Sequence, residues 1–291
     1  MKKKLIYIST FIIVLAFFVI GLFFDLSFAK IIYNNKSVVG MFFAAIGETP
    51  AYGGLAFIGG GLIAVSLKRK KKAEKIALIV LAIIVTIIGT YLSSNAIKSH
   101  NALDIEKQWY ISLPIAILIC GGCGYCGYLL TSRSENPLIL KTLFAMLISI
   151  AGVLLTVTLL KKIWARPRPR FVDLYSYDLF RNWWELNTGV REKYMELGVI
   201  SDEFKSCPSG HSSSACLALL LMYLPHFDKK YENKENILFL IGIGWTFIVA
   251  FTRLIMGAHF ITDVTFAIMI AMIIIFVTYL LMYKIDYKKR A

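Results

Sequence analysis

Charged side chains are scarce in this chain. They make up 17% of its 291 residues, against about a quarter in a soluble domain. Internal repeats, low-complexity tracts and a polar domain set apart from the apolar blocks are also missing. Their absence excludes a repeat solenoid and a long disordered region. No carboxylate cluster of the kind that holds magnesium occurs. Five cysteines carry little information. Cys120, Cys123 and Cys126 form a CxxCxxC run among glycines, with no His or carboxylate nearby to complete a ligand set. They read as small residues that let helices approach closely. Cys207 and Cys216 read as packing residues rather than a disulfide.

What is present is hydrocarbon. The chain is 58% hydrophobic, with a mean hydropathy of +0.68, and the apolar residues lie in long blocks. In a bilayer the backbone must satisfy its own polar groups, so uninterrupted blocks of about 20 residues read as helices. A barrel would need alternating strands instead. The fold class expected is therefore all-α, a polytopic transmembrane helical bundle forming one integral membrane domain over residues 1–291. About eight spans are expected: Leu5–Phe24, Tyr52–Leu67, Ile76–Leu92, Trp109–Leu130, Thr142–Leu160, Ser212–Leu224, Ile237–Phe251 and Phe260–Tyr283. Val38–Ile46 is too short to cross and is expected to lie along the membrane before Gly47–Pro50 turns the chain. Ser27-Phe28-Ala29 resembles a weak cleavage site, but the preceding apolar run exceeds a signal core and reads as an uncleaved span.

The net charge of +14 would point to nucleic acid in a soluble protein. Here no basic domain stands apart from the spans, so a nucleic-acid partner is not expected. The charge reads as topology signal and as affinity for anionic lipid headgroups. With the N-terminus inside, more than half of the 32 Lys and Arg fall on the inner side. They sit at Lys2–Lys4, Lys68–Lys75, Arg133, Lys141, Lys229–Lys234 and Lys284–Arg290. Lys30, Lys36, Lys98 and Lys107 fall outside. Both termini are therefore expected in the cytoplasm of a cell-membrane protein. Oligomeric state is not legible.

Three polar clusters then fall on the outer side: Lys161-x6-Arg168-Pro169, Pro208-Ser209-Gly210-His211 and Arg253-x5-His259-x3-Asp263. His259 and Asp263 are four apart, so on a helix they share a face, and the carboxylate is expected to accept the Nδ1–H of His259. That leaves Nε2 as a nucleophile. A turn at Gly257 is expected to bring Arg253 toward His259. Ser209 and Gly210 open the sixth span, where backbone N–H groups hold anions, and His211 is the second proton-transfer group. Lys161 and Arg168 are expected to contact substrate oxygens, while Lys162, Arg166 and Arg170 raise the local potential. Trp183-Trp184, in the polar stretch from Lys161 to Ser206, reads as a headgroup anchor, with a substrate lid as the alternative.

Taken together the clusters resemble the signature of the type 2 phosphatidic acid phosphatase (PAP2) superfamily, K-x6-RP, PSGH and SR-x5-H-x3-D, with Thr252 in place of the Ser. That superfamily includes bacterial-type lipid phosphate phosphatases, undecaprenyl pyrophosphate phosphatases, glucose-6-phosphatase-like enzymes and vanadium haloperoxidases. The resemblance implies a helical catalytic core over residues 142–283, preceded by additional transmembrane helices over residues 5–130. It implies a phosphatase in which His259 forms a phosphohistidine, Asp263 orients it and His211 protonates the leaving oxygen and later activates water. Lys161, Arg168, Ser209, the Gly210 amide and Arg253 would hold the phosphoryl oxygens, with no metal and no cofactor. The expected substrate is a membrane lipid phosphate or pyrophosphate. Phosphotransfer to another acceptor, and a lipid transporter or flippase without chemistry, remain as alternatives.

Overall fold

The computed structural model describes residues 2–99, 109–186 and 188–290. Lys107, counted above as an outer charge, lies outside the described residues. The described residues form helices α1 (Lys2–Ile32), α2 (Val38–Ile46), α3 (Thr49–Leu67), α4 (Lys72–Ser99), α5 (Trp109–Arg133), α6 (Ile139–Trp164), α7 (Pro169–Tyr175), α8 (Val190–Glu196), α9 (Gly210–Cys216), α10 (Glu235–Ile255) and α11 (Ile261–Arg290), with short 3-10 turns between them. Among the described residues seven helical stretches are long and apolar enough to cross a bilayer. The all-α membrane bundle is as expected; the span count is not.

The segment expected as the sixth of the eight spans, Ser212–Leu224, is no continuous α-helix. Seven α-helical residues in α9 give way to ten 3-10 residues, Leu217–His226. A 3-10 helix rises about 2.0 Å per residue against about 1.5 Å for an α-helix. The seven and ten residues together therefore span about 30 Å, against about 25 Å for an α-helix of the same length. The segment starts beside Lys161 and ends where Asn136 Nδ2 donates to the His226 carbonyl (3.0 Å). A span shorter than the usual count is compensated by stretch, which a residue count cannot reveal.

Glycine sets the packing of α3 between α4 and α5. A Cβ on Gly60 would lie 1.8 Å from the Gly124 carbonyl oxygen, and one on Gly127 would lie 2.0 Å from that of Phe57. Lipid is as apolar as a leucine side chain, so helices in a bilayer associate by such close van der Waals approach. The CxxCxxC run lies on this contact, with Cys123 Sγ against Gly53. All five cysteines are free thiols.

The segment Val38–Ile46 also departs from expectation. Only Gly47 and Glu48 separate α2 from α3, and both keep near-helical backbone angles. Val38 to Leu67 is one apolar stretch, held to α10 where Trp245 Nε1 donates to the Gly47 carbonyl (3.1 Å). The turn expected at Gly47–Pro50 is thus a two-residue interruption. The polar stretch after α6 folds over a small core of its own, Phe171, Val190 and Phe204. Trp183 is no headgroup anchor. It stacks on Trp164 and meets Phe18 edge-on, joining this stretch to α1 and α6, while Trp184 is exposed.

Candidate active site

Lys161 sits in the last turn of α6, which ends at Ala165 in the left-handed region (φ 45°). Pro169 opens α7, where its missing N–H costs nothing, with Arg168 as the flanking residue. Ser209 caps α9, its Oγ accepting from the Ser212 N–H (3.3 Å). α10 ends in a Schellman turn at Gly257 (φ 58°), whose N–H donates to Leu254 (3.0 Å) while that of Ala258 donates to Arg253 (3.1 Å). That turn delivers His259 just ahead of α11.

Backbone bonds join the three clusters. Ser206 N–H donates to the Arg166 carbonyl (3.1 Å), and Ser209 N–H donates to that of Asp263 (3.0 Å). A Cβ on Gly210 would stand 3.4 Å from Lys161 Cε. Arg168, Ser209, Arg253, His259 and Asp263 are all buried. Burial, then the cations of Lys161 and Arg168, then His211, hold His259 well below its ordinary proton affinity. Burial, then Arg253 and Lys161, do the same to His211, against a raising effect of the Ala44 carbonyl. Each imidazole thus lies in the field of Lys161 and Arg168, and His259 also feels His211. Arg168 Nε and Arg253 Nε are buried without a hydrogen-bond partner among the described residues.

Asp263 does not accept from His259. The Nδ1–H of His259 donates to the Ser206 carbonyl (2.6 Å). Asp263 Oδ2 accepts from the Ser206 hydroxyl (2.5 Å) and from the Phe260 N–H (2.8 Å). The same-face argument fails because α11 begins only at Ile261, so His259 precedes the helix. Asp263 is its third residue and reaches back as in a capping box. It positions His259 through Ser206. Ser206→Ala is expected to lower kcat by about tenfold with KM little changed, measured by steady-state phosphate release.

The other arginines of the first cluster are also bound differently from expectation. Arg166 is fully buried and spans two carboxylates, Nη1 to Asp263 Oδ1 (2.6 Å) and Nη2 to Asp25 Oδ2 (3.0 Å). Its charge is neutralised rather than lent to the pocket. Arg170 is held by Glu203 (2.5 Å). Arg168 Nη2 pairs with Asp202 Oδ2 (2.7 Å). Burial would raise the Asp202 carboxyl, but Arg168, Lys205 and Lys161 together keep it below its usual range. Lys161 Nζ donates to the Lys205 carbonyl (3.0 Å). It also lines a polar depression of about 820 Å³, with Lys162, Arg191 and Lys205, that opens to solvent.

A family model described as the PAP2 superfamily matches residues 142–287. The chain belongs to the PAP2 superfamily. No curated protein and no solved structure matches it. PAP2 members are phosphatases, and with seven membrane-capable helices this one is a multi-pass membrane protein acting on phosphate esters. Four groups that touch the PAP2 site come from outside the matched residues. They are Asp25 of α1, the Gly40 carbonyl that accepts from Arg253 Nη2 (2.5 Å), the Ala44 carbonyl that accepts from His211 Nε2 (3.1 Å), and Glu48. Nothing in the local sequence marks the Gly40 and Ala44 carbonyls. The one available signal was a lone acidic residue inside an otherwise apolar span, at Asp25 and at Glu48.

Proposed function

We propose that this PAP2 protein hydrolyses a lipid phosphate or pyrophosphate at the outer leaflet, without a metal, through a phosphohistidine on His259. The observation that carries the reading is that backbone bonds join the three clusters, Lys161 lies against Gly210, and Lys161, Arg168 and Arg253 bear on the rings of His211 and His259 while two guanidinium donors stay buried and unsatisfied. Buried like charges repel one another, and a phosphoryl group that accepts from all three cations relieves that repulsion.

His259 attacks phosphorus through Nε2 while Ser206 holds the opposite N–H. The bond to the leaving oxygen breaks, and His211 gives that oxygen a proton. His211 then takes a proton from water, the water oxygen bonds to phosphorus, and the phosphorus–nitrogen bond breaks to release phosphate. Lys161, Arg168 and Arg253 meet the charge on the oxygens through both steps, with Ser209 and the Gly210 amide at the mouth of α9.

A lipid substrate is supported by an apolar cavity of about 510 Å³. Its lining includes Ile46, Thr49, Pro50 and Trp245 around the Gly47-Glu48 link, together with Phe57 and Leu221. An undecaprenyl pyrophosphate, a phosphatidic acid and a phosphatidylglycerol phosphate all offer a tail for it. The outer location rests on the charge distribution along the chain.

The test is phosphate release from lipid mono- and diphosphates of graded chain length, with a water-soluble phosphate as control. A strong preference for the soluble compound overturns the lipid reading. Filling the cavity with Leu221→Trp is expected to lower kcat/KM for long-chain substrates more than about tenfold, because displacing two methylenes costs roughly 1.6 kcal/mol. Turnover of short-chain substrates should hold.

A further inference from the structure

Glu48 is a carboxylate in a place that needs explaining. It flanks the N-terminus of α3, but its side chain makes no capping hydrogen bond. Its carboxylate instead lies 3.8 Å from His211 Nε2, with only 12% of the side chain exposed. Lys161 and Arg253 both feel its charge, and the Tyr52 hydroxyl is within hydrogen-bonding reach of it. A buried carboxylate is costly unless paired, and one facing a phosphate pocket also repels the substrate. A helix cap would not need that placement.

We propose that Glu48 is a positioning residue for His211, holding the imidazolium that protonates the leaving oxygen. The proposal rests on the role assigned to His211 above. The charged groups facing His211 are Arg253 from α10, Lys161 from α6, Arg168 from the turn after it and the ring of His259. All three of those charges are cationic and oppose a proton on His211. Glu48, with the Ala44 carbonyl from α2, is the counterweight. In the bond-breaking step the proton passes from His211 to the leaving oxygen, which keeps the electron pair of the broken phosphorus–oxygen bond. His211 becomes neutral. When water attacks the phosphohistidine, the proton returns to His211 and Glu48 again stabilises the cation.

The test compares Glu48→Gln with the unaltered protein on two substrates. One is an alkyl lipid phosphate, whose alkoxide cannot leave without a proton. The other is p-nitrophenyl phosphate, whose phenolate can. On the lipid, kcat/KM, which covers the steps up to departure of the leaving group, should fall about tenfold or more at neutral pH. The alkaline limb of kcat/KM should move to lower pH by about one unit, since losing an anion weakens the hold on the His211 proton. On the nitrophenyl ester kcat/KM should change little, which also shows that the variant is folded, while kcat falls if water attack limits it. Glu48→Asp, which retains the charge, should keep the limb near its original position. Equal losses of kcat/KM on both substrates, an unmoved limb or a rise in kcat/KM would each overturn the proposal. A rise would mean that Glu48 only blocks the cationic pocket. Failure of the underlying reading is separable: His259→Ala would then release phosphate from both substrates as well as the unaltered protein does.

Discussion

Replacing Arg166 with methionine is expected to destabilise the protein by about 3–5 kcal/mol, the range for stranding a buried charge. Each of the three guanidinium nitrogens donates a hydrogen bond. Besides Asp25 and Asp263, it donates from Nη1 to Thr262 Oγ1 (2.8 Å) and from Nε to the Arg181 carbonyl (2.8 Å). Its plane lies 4.3 Å from the centre of the Phe260 ring. Without it two carboxylates face each other in a dry site, and Asp263 loses the anchor that holds Ser206 under His259. Thermal unfolding in detergent would report the loss. Adding Asp25→Asn to Arg166→Met should recover part of it, because one of the two stranded charges is then gone. Arg166→Lys should recover less than the wild-type value, since a single ammonium cannot span both partners. A methionine variant as stable as the parent would show that the triad contributes nothing.

His259→Ala is expected to reduce phosphate release by at least about 10⁴-fold, the scale for deleting a nucleophile. The side chain is buried and makes one strong bond, to Ser206, so the variant leaves a small cavity without stranding a charge. Its unfolding temperature should therefore fall far less than that of Arg166→Met. Brief exposure of the parent to a ³²P-labelled substrate should trap an acid-labile label on the protein, and the variant should trap none. Vanadate should inhibit the parent by taking the place of the transferring phosphoryl group. Substantial turnover by the variant would remove His259 from the mechanism. Normal lipid movement by an inactive variant would favour a transporter.

Much of this site was readable in advance. Lys161 to Pro169, Pro208 to His211 and Arg253 to Asp263 are short spacings, and each corresponds to a local device. These are a helix end stopped by proline, a Ser-capped helix start and a glycine turn between helices. The turn at Gly257 was expected and is present, and the charge of Arg253 bears on His211. The expected bond from His259 to Asp263 failed for a local reason as well: four-residue spacing means a shared face only inside a helix, and the helix starts two residues too late.

Apolar run length and the spacing of polar residues within one turn are local quantities, and they determined the helical membrane architecture and the three polar clusters. The partners of the buried charges were decided only by the packing of α1, α2 and α3 against the C-terminal helices. Asp25 meets Thr262 across 237 positions of chain, and Ala44 meets His211 across 167. Such pairings leave no periodicity behind. They exist because an ionised group taken out of water must find its counter-charge or hydrogen-bond partner wherever the close approach of helices puts one.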